Sequence, residues 1–280
     1  MLETRQLAAH VCNTPDMHEI NANQHTFSYR EQGSGAVALF IHGFPLDSTM
    51  WLEQLDGLAD VRRCVAPDLR GFGRSAPTTR GVLSMEDHAD DLMAILDALD
   101  IDQVDLVGLS MGGYVALAIA ERFPERLRSL ALVDTKSTAD SDDAKAGRDA
   151  AAIGVAAHGR SQLADTMIGV LVDDSASIWT RARIRTMIEA MPAESIVAAL
   201  RGMKRRPDRT AVLSRVSVPV AVIVGEHDVV TPLHEADEMA RAAGAQMVVI
   251  ADAGHMAPIE DPQAVTAALR ALWSVGATNE

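Results

Sequence analysis

The residues best suited to do chemistry lie in Val107-Gly108-Leu109-Ser110-Met111-Gly112-Gly113. An apolar run (Val104, Leu106, Val107) leads into a Gly-x-Ser-x-Gly-Gly turn, and a helical segment from Tyr114 to Glu121 follows. Strand, tight turn and helix in that order form a nucleophile elbow, whose turn strains the serine backbone and lifts the hydroxyl clear of the strand. Gly108 and Gly112 provide side-chain-free neighbours where the turn is crowded. The helix that starts just beyond aims backbone N–H groups at whatever sits beside the Ser110 hydroxyl.

A serine hydroxyl is a weak nucleophile until a base takes its proton. The base expected here is a histidine, oriented through its other ring nitrogen by a buried carboxylate. In an elbow arrangement the partners follow in the chain order Ser, Asp or Glu, His. Downstream of Ser110 stand His158, His227, His234 and His255. His255 follows an apolar strand at 246–250 and so lies at a strand's carboxyl end, where reactive groups gather in open α/β sheets. Asp228, in Gly225-Glu226-His227-Asp228, stands in the same relation to a strand at 220–224. Asp134, after a strand at 130–133, is the alternative acid, whereas Asp252 is too close to His255 in sequence to orient it. His227 and His234 read as surface or helix-start residues. Acyl transfer also needs two N–H donors for the developing oxyanion, each typically worth roughly a hundred- to a thousandfold in rate. The Met111 amide is one. The loop His42-Gly43-Phe44-Pro45 offers Phe44 as the other, because Pro45 has no N–H and Gly43 permits close approach. His42 is expected to brace this loop.

The elements that position these residues alternate between strand and helix. Residues 25–31 show the period-two pattern of a half-exposed edge strand, while 36–41, 64–66, 104–109, 130–133, 220–224 and 246–250 read as buried strands. A short helix is expected over 49–58. Ser84 caps another, with Leu92, Ile95, Leu96 and Leu99 on one face. Thr231-Pro232 and Asp261-Pro262 each start a helix with a capping side chain and a first-turn proline. This alternation predicts a mainly parallel sheet with helices on both faces. From 136 to 215 there is no strand pattern, only helical patterns near 142–157, 161–171, 177–190 and 194–203. That stretch is too long for a loop and reads as an inserted helical lid. Residues 1–16 read as a poorly ordered extension. Trp51, Met167, Leu171 and Trp179, with Phe44, Met111 and Ile168, are the candidates for an apolar substrate pocket.

The 280 residues carry 39 acidic and 25 basic side chains, a net charge of −14, which disfavours nucleic acid and anionic membranes as partners. Cys12 and Cys64 give neither a disulfide framework nor metal-ligand spacing. The first residues lack an apolar signal segment, so a cytoplasmic location is expected.

His42-Gly-Phe-Pro45, Pro67-Asp-Leu-Arg-Gly-Phe-Gly-Arg-Ser75, Gly108-Leu-Ser-Met-Gly-Gly113, Gly225-Glu-His-Asp228 and Ala253-Gly-His255 together resemble the α/β-hydrolase superfamily, over about residues 18–273. Their wording is most similar to the bacterial branch of 3-oxoadipate enol-lactonases, cofactor-independent haloperoxidase/perhydrolases and carboxylesterases. The resemblance implies a mostly parallel eight-stranded sheet flanked by helices. It assigns a core to 17–135 and 216–280, with 136–215 as the lid. It implies a serine hydrolase of small to medium carboxylic esters, with Ser110, His255 and Asp228 as triad and Phe44 and Met111 as oxyanion donors. Lactonase or perhydrolase chemistry on the same triad is the alternative, and a non-catalytic ligand-binding role is less favoured. A small-molecule ester or lactone is the implied partner, and no metal or organic cofactor is implied. Serine at the nucleophile position argues against dehalogenase and epoxide hydrolase chemistry, which needs a carboxylate there. Leu109 stands where the carbon–carbon-bond hydrolases of the family often have Asn.

Overall fold

Along the central strands successive side chains pack into two different cores. Leu39, Ile41, Leu106 and Leu132 face one side, and Ala38, Phe40, Val107 and Val133 face the other. That alternation is the signature of a sheet covered on both faces. In this computed structural model, which describes residues 15–275, the strands are β1 (Asp16–Ala22), β2 (His25–Gln32), β3 (Val37–Ile41), β4 (Arg63–Pro67), β5 (Val104–Leu109), β6 (Leu127–Val133), β7 (Val220–Gly225) and β8 (Gln246–Ile250). They form one sheet in the order β1-β2-β4-β3-β5-β6-β7-β8. Only the β1–β2 and β2–β4 pairs are antiparallel.

The helices are α1 (Leu52–Leu58), α2 (Met85–Ala98), α3 (Met111–Arg122), α4 (Asp142–His158), α5 (Arg160–Leu171), α6 (Ile178–Ala190), α7 (Ala193–Arg205), α8 (Thr210–Leu213), α9 (Leu233–Ala243), α10 (Ala257–Glu260) and α11 (Pro262–Val275). Ser84 begins α2 with a reciprocal capping box, accepting from the Asp87 amide while Asp87 accepts from the Ser84 amide. Asp261 accepts from the Ala264 amide at the start of α11. Between β6 and β7 the described chain holds α4 to α8 and no strand. No helix among the described residues is long and apolar enough to cross a membrane.

Three expectations change. The strand at 25–31 is not an edge: β1 pairs with it along its length and takes the edge position. β1 (Asp-Met-His-Glu-Ile-Asn-Ala) has its apolar residues at 17, 20 and 22, which do not alternate, and so shows no period-two pattern. Of the extension expected over 1–16, Asp16 belongs to β1 and Pro15 is buried, while residues 1–14 lie outside the described residues. β8 is an edge strand with only β7 beside it, and Val249 is 42% exposed, so its apolar run does not mark burial on both faces.

Candidate active site

The sheet order reverses direction around β3, with β4 on one side and β5 on the other. Such a switch point opens a crevice at the strands' carboxyl ends. Ser110 stands immediately after β5 with φ 53° and ψ −114°. This is a positive φ that a side-chain-bearing residue rarely adopts. Tight backbone contacts enforce it, since a Cβ on Gly108 would collide with the Gly112 carbonyl, and one on Gly112 with the Ile41 carbonyl. The Ser110 amide donates to Val133 O at 3.0 Å, and the Thr135 hydroxyl donates to Ser110 O at 2.8 Å.

Asp228 and His255 meet across 27 residues of sequence. His255 Nδ1 lies 2.8 Å from Asp228 Oδ2, with both residues buried. Asp228 Oδ1 accepts from the Val230 and Thr231 amides at 2.8 and 2.9 Å, and Oδ2 also accepts from the Thr231 hydroxyl at 2.7 Å. Burial works to raise the Asp228 pKa. His255 and the Thr231 amide and hydroxyl outweigh it and hold the carboxyl below its usual range. The Thr231 hydroxyl therefore serves Asp228 rather than capping α9, whose N-cap is Pro232 with no side-chain bond. In the sequence Thr231-Pro232 reads as a helix start with a capping hydroxyl. The short Asp-x-x-Thr spacing was the available signal.

The alternative acid, Asp134, has other work. Its oxygens accept from the Gly225 amide at 2.7 Å and the Ala257 amide at 3.3 Å, tying the end of β6 to β7 and to the segment after His255. Burial first, and the Asp228 charge second, push its pKa well above the carboxylate range. His158, His227 and His234 are exposed.

The loop after β3 is braced as its composition implied. Leu69 N donates to His42 Nε2 at 3.0 Å, so the proton sits on Nδ1 and is donated to Gly43 O at 2.9 Å. Burial lowers the His42 pKa and keeps the ring neutral. The Asp68–Ser75 stretch supports the loop from behind: Asp68 accepts from the Ser48 and Arg74 amides. Met111 is the first residue of α3, so its N–H has no acceptor within the helix.

Glu260 went unnoticed in the sequence. Its carboxylate accepts from the Gly254 and Met256 amides on either side of His255, at 3.0 and 3.2 Å, and from the Asp173 amide at 2.7 Å. One side chain thus joins the His255 loop to the segment after α5.

A cavity of about 370 Å³ is lined by Ser110, His255 and Phe44 together with residues of α4, α5 and α7. Met167 and Leu171 line it. The two tryptophans do not. Trp51 is fully buried against Phe40, ring centroids 5.3 Å apart, in the core beneath the sheet. Trp179 is 81% exposed near the start of α6. Ile168 packs toward the lower core, and Met111 is wholly buried. Side-chain type could not distinguish these fates, because each depends on which neighbouring element arrives.

Residues 37–262 match the family described as alpha/beta hydrolase fold. The chain belongs to that family. It is 39% identical to a thermophilic esterase from Thermogutta terrifontis, solved with malate bound, with a TM-score of 0.89 over 94% of this chain and 100% of that one. It is 32% identical to the dihydrolipoyllysine-residue acetyltransferase component of the acetoin cleaving system of Pseudomonas putida, over 82% of this chain. It spans only 61% of that relative's length. A third relative, 3-oxoadipate enol-lactonase 2 of Acinetobacter baylyi, is 26% identical over 94% of this chain and 97% of its own length.

Proposed function

We propose that this protein is a serine hydrolase that cleaves carboxylic esters of small to medium size through an acyl-enzyme. The observation that carries this reading is the buried Asp228–His255 pair, whose histidine lines the same cavity as a serine held at positive φ. In the proposed cycle Ser110 Oγ attacks the ester carbonyl and passes its proton to His255 Nε2. The oxyanion accepts hydrogen bonds from the Phe44 and Met111 amides. Collapse breaks the ester C–O bond, and His255 returns the proton to the departing alcohol. Water then adds to the acyl-enzyme with His255 again as base, releasing the acid and regenerating Ser110. Asp228 keeps the His255 proton on Nδ1 throughout.

Residues 136–215 act in this reading as the cap, with Met167 and Leu171 supplying apolar wall to the acyl pocket. Lactone hydrolysis on the same residues is the second reading, favoured by the near full-length match to an enol-lactonase. Perhydrolysis is a side reaction of the same acyl-enzyme. The test is Ser110→Ala, assayed on a p-nitrophenyl ester series of rising chain length beside simple lactones. Turnover is expected to vanish, with fluorophosphonate labelling lost and the melting curve retained. More than a few percent of residual activity refutes the assignment. A wild-type preference for lactones over every ester selects the second reading.

A further inference from the structure

The cavity beside Ser110 holds positive charge that ester hydrolysis does not itself require. Lys136 and Arg148 line it, in a chain of net charge −14. Lys136 lies three residues beyond β6. Its ammonium stands 3.5 Å from Glu235 Oε1, with no closer polar contact among the described residues. Arg148, on α4, pairs with Asp140 through Nε and Nη2. Its Nη1 meets only the Met203 sulfur, 3.3 Å away, which is a weak acceptor. Asp140 also serves a second guanidinium, accepting from Arg206 Nη1 at 2.7 Å. Arg206 in turn lies over Tyr114, 3.9 Å from the ring centroid, and Tyr114 is itself part of the cavity wall. Three cations (Lys136, Arg148 and Arg206) therefore share two carboxylates, Asp140 and Glu235. One positive charge is left over in this cluster, beside a wall to which Asp140 and Thr166 also contribute and which is apolar at Leu163, Met167 and Leu200. A partly desolvated cation whose carboxylate is shared with a second cation, or stands 3.5 Å away, is incompletely neutralised, and an anionic ligand group completes the balance.

We infer that Lys136 Nζ and Arg148 Nη1 form a carboxylate subsite, so that the substrate class is an ester or lactone carrying a free carboxylate on its acyl side. This rests on the ester chemistry proposed for Ser110. The subsite takes a hemiester of a dicarboxylic acid in preference to the neutral ester of the same chain length.

The test compares monoethyl glutarate with ethyl pentanoate, following proton release at constant pH. In the wild-type protein kcat/KM for the hemiester exceeds that for the neutral ester by roughly ten- to a hundredfold, the range of one charge-assisted hydrogen bond, and added salt narrows the gap. Lys136→Met and Arg148→Met each lower the hemiester-to-neutral ratio by about tenfold, chiefly through KM, and Lys136→Arg restores most of it. Arg148→Met also strips a partner from buried Asp140 and can fail to fold. The Lys136 pair, at a less committed position, keeps the inference falsifiable without it. Hydrolysis of both esters with a wild-type ratio near one overturns the carboxylate subsite and leaves the ester reading standing. A ratio that Lys136→Met does not change also overturns it. Hydrolysis of neither ester overturns both.

Discussion

Replacing Asp228 by asparagine makes the sharpest test of the proposed proton path, because the surrounding bonds dictate how the amide must sit. Two backbone N–H groups, from Val230 and Thr231, point at Oδ1 and demand an acceptor there. In Asp228→Asn the amide oxygen takes that place, and the NH₂ group falls at Oδ2, 2.8 Å from His255 Nδ1. A donor now faces the atom that had been donating. The imidazole answers by moving its proton to Nε2, the nitrogen that must accept from Ser110. The Thr231 hydroxyl, 2.7 Å from Oδ2, rotates to accept from the new NH₂, so the loop keeps its bonds and the protein stays folded. Loss of the productive tautomer costs roughly 10³ to 10⁴ in kcat, or about 4 to 5.5 kcal/mol at about 1.36 kcal/mol per decade. The assay is kcat on a p-nitrophenyl ester near neutral pH, with a thermal melt run in parallel. A folded variant that keeps a tenth or more of wild-type kcat refutes the reasoning. So does a larger loss in Asp134→Asn than in Asp228→Asn, which would transfer the orienting role to Asp134.

Other outcomes follow from single contacts. Thr231→Val removes one hydrogen bond to a buried carboxylate while keeping shape. A stability loss of about 1.5 to 3 kcal/mol is expected in a denaturant melt near neutral pH. A variant as stable as wild type counts against the assigned contact. His227 Nδ1 lies 2.6 Å from Asp173 Oδ2, and the Asp173 carboxylate raises the His227 pKa above its usual value. Since the folded-state pKa is the higher one, this contribution is complete below the ordinary histidine range and disappears as pH rises through the raised value. The melting-temperature gap between wild type and His227→Gln should therefore shrink on going from mildly acidic to alkaline pH, and a constant gap refutes the ion pair. Trp51→Ala should cost about 3 to 5 kcal/mol by opening a cavity beside Phe40. Trp179→Ala, at an 81% exposed position, should leave both the melt and ester turnover within error. A large change in turnover would return Trp179 to the substrate pocket.

Much of the fold was readable because it is written in local rules. The central strands β3 and β7 show as unbroken apolar runs, since both faces are covered. The four longer helices between β6 and β7 were legible within a residue or two, from their own periodicity. β1 escaped because its core-packing residues, Ile20 and Ala22, sit in a short, mostly exposed strand without regular alternation, and much of its hold on the sheet is the backbone ladder to β2. β8 misled for the converse reason: apolar residues can stand on an edge. In the site, Ser110 announced itself because its turn is a backbone requirement that Gly108 and Gly112 satisfy within a few residues. Glu260 and Thr231 did not, because their bonds are set by where other segments end up.

The sequence by itself determined the alternation of strands and helices, the strained turn around Ser110 and the short list of acids and histidines able to join it. Only the tertiary structure decided which acid lies 2.8 Å from His255 and that Asp134 is committed to the Gly225 and Ala257 amides. It alone sent Trp51 into the core and Trp179 into solvent, and drew Lys136 and Arg148 to one cavity. The division has one physical cause. Backbone sterics and hydrophobic period act between near neighbours in the chain, whereas the partner of a buried polar group is chosen by packing between elements far apart in it.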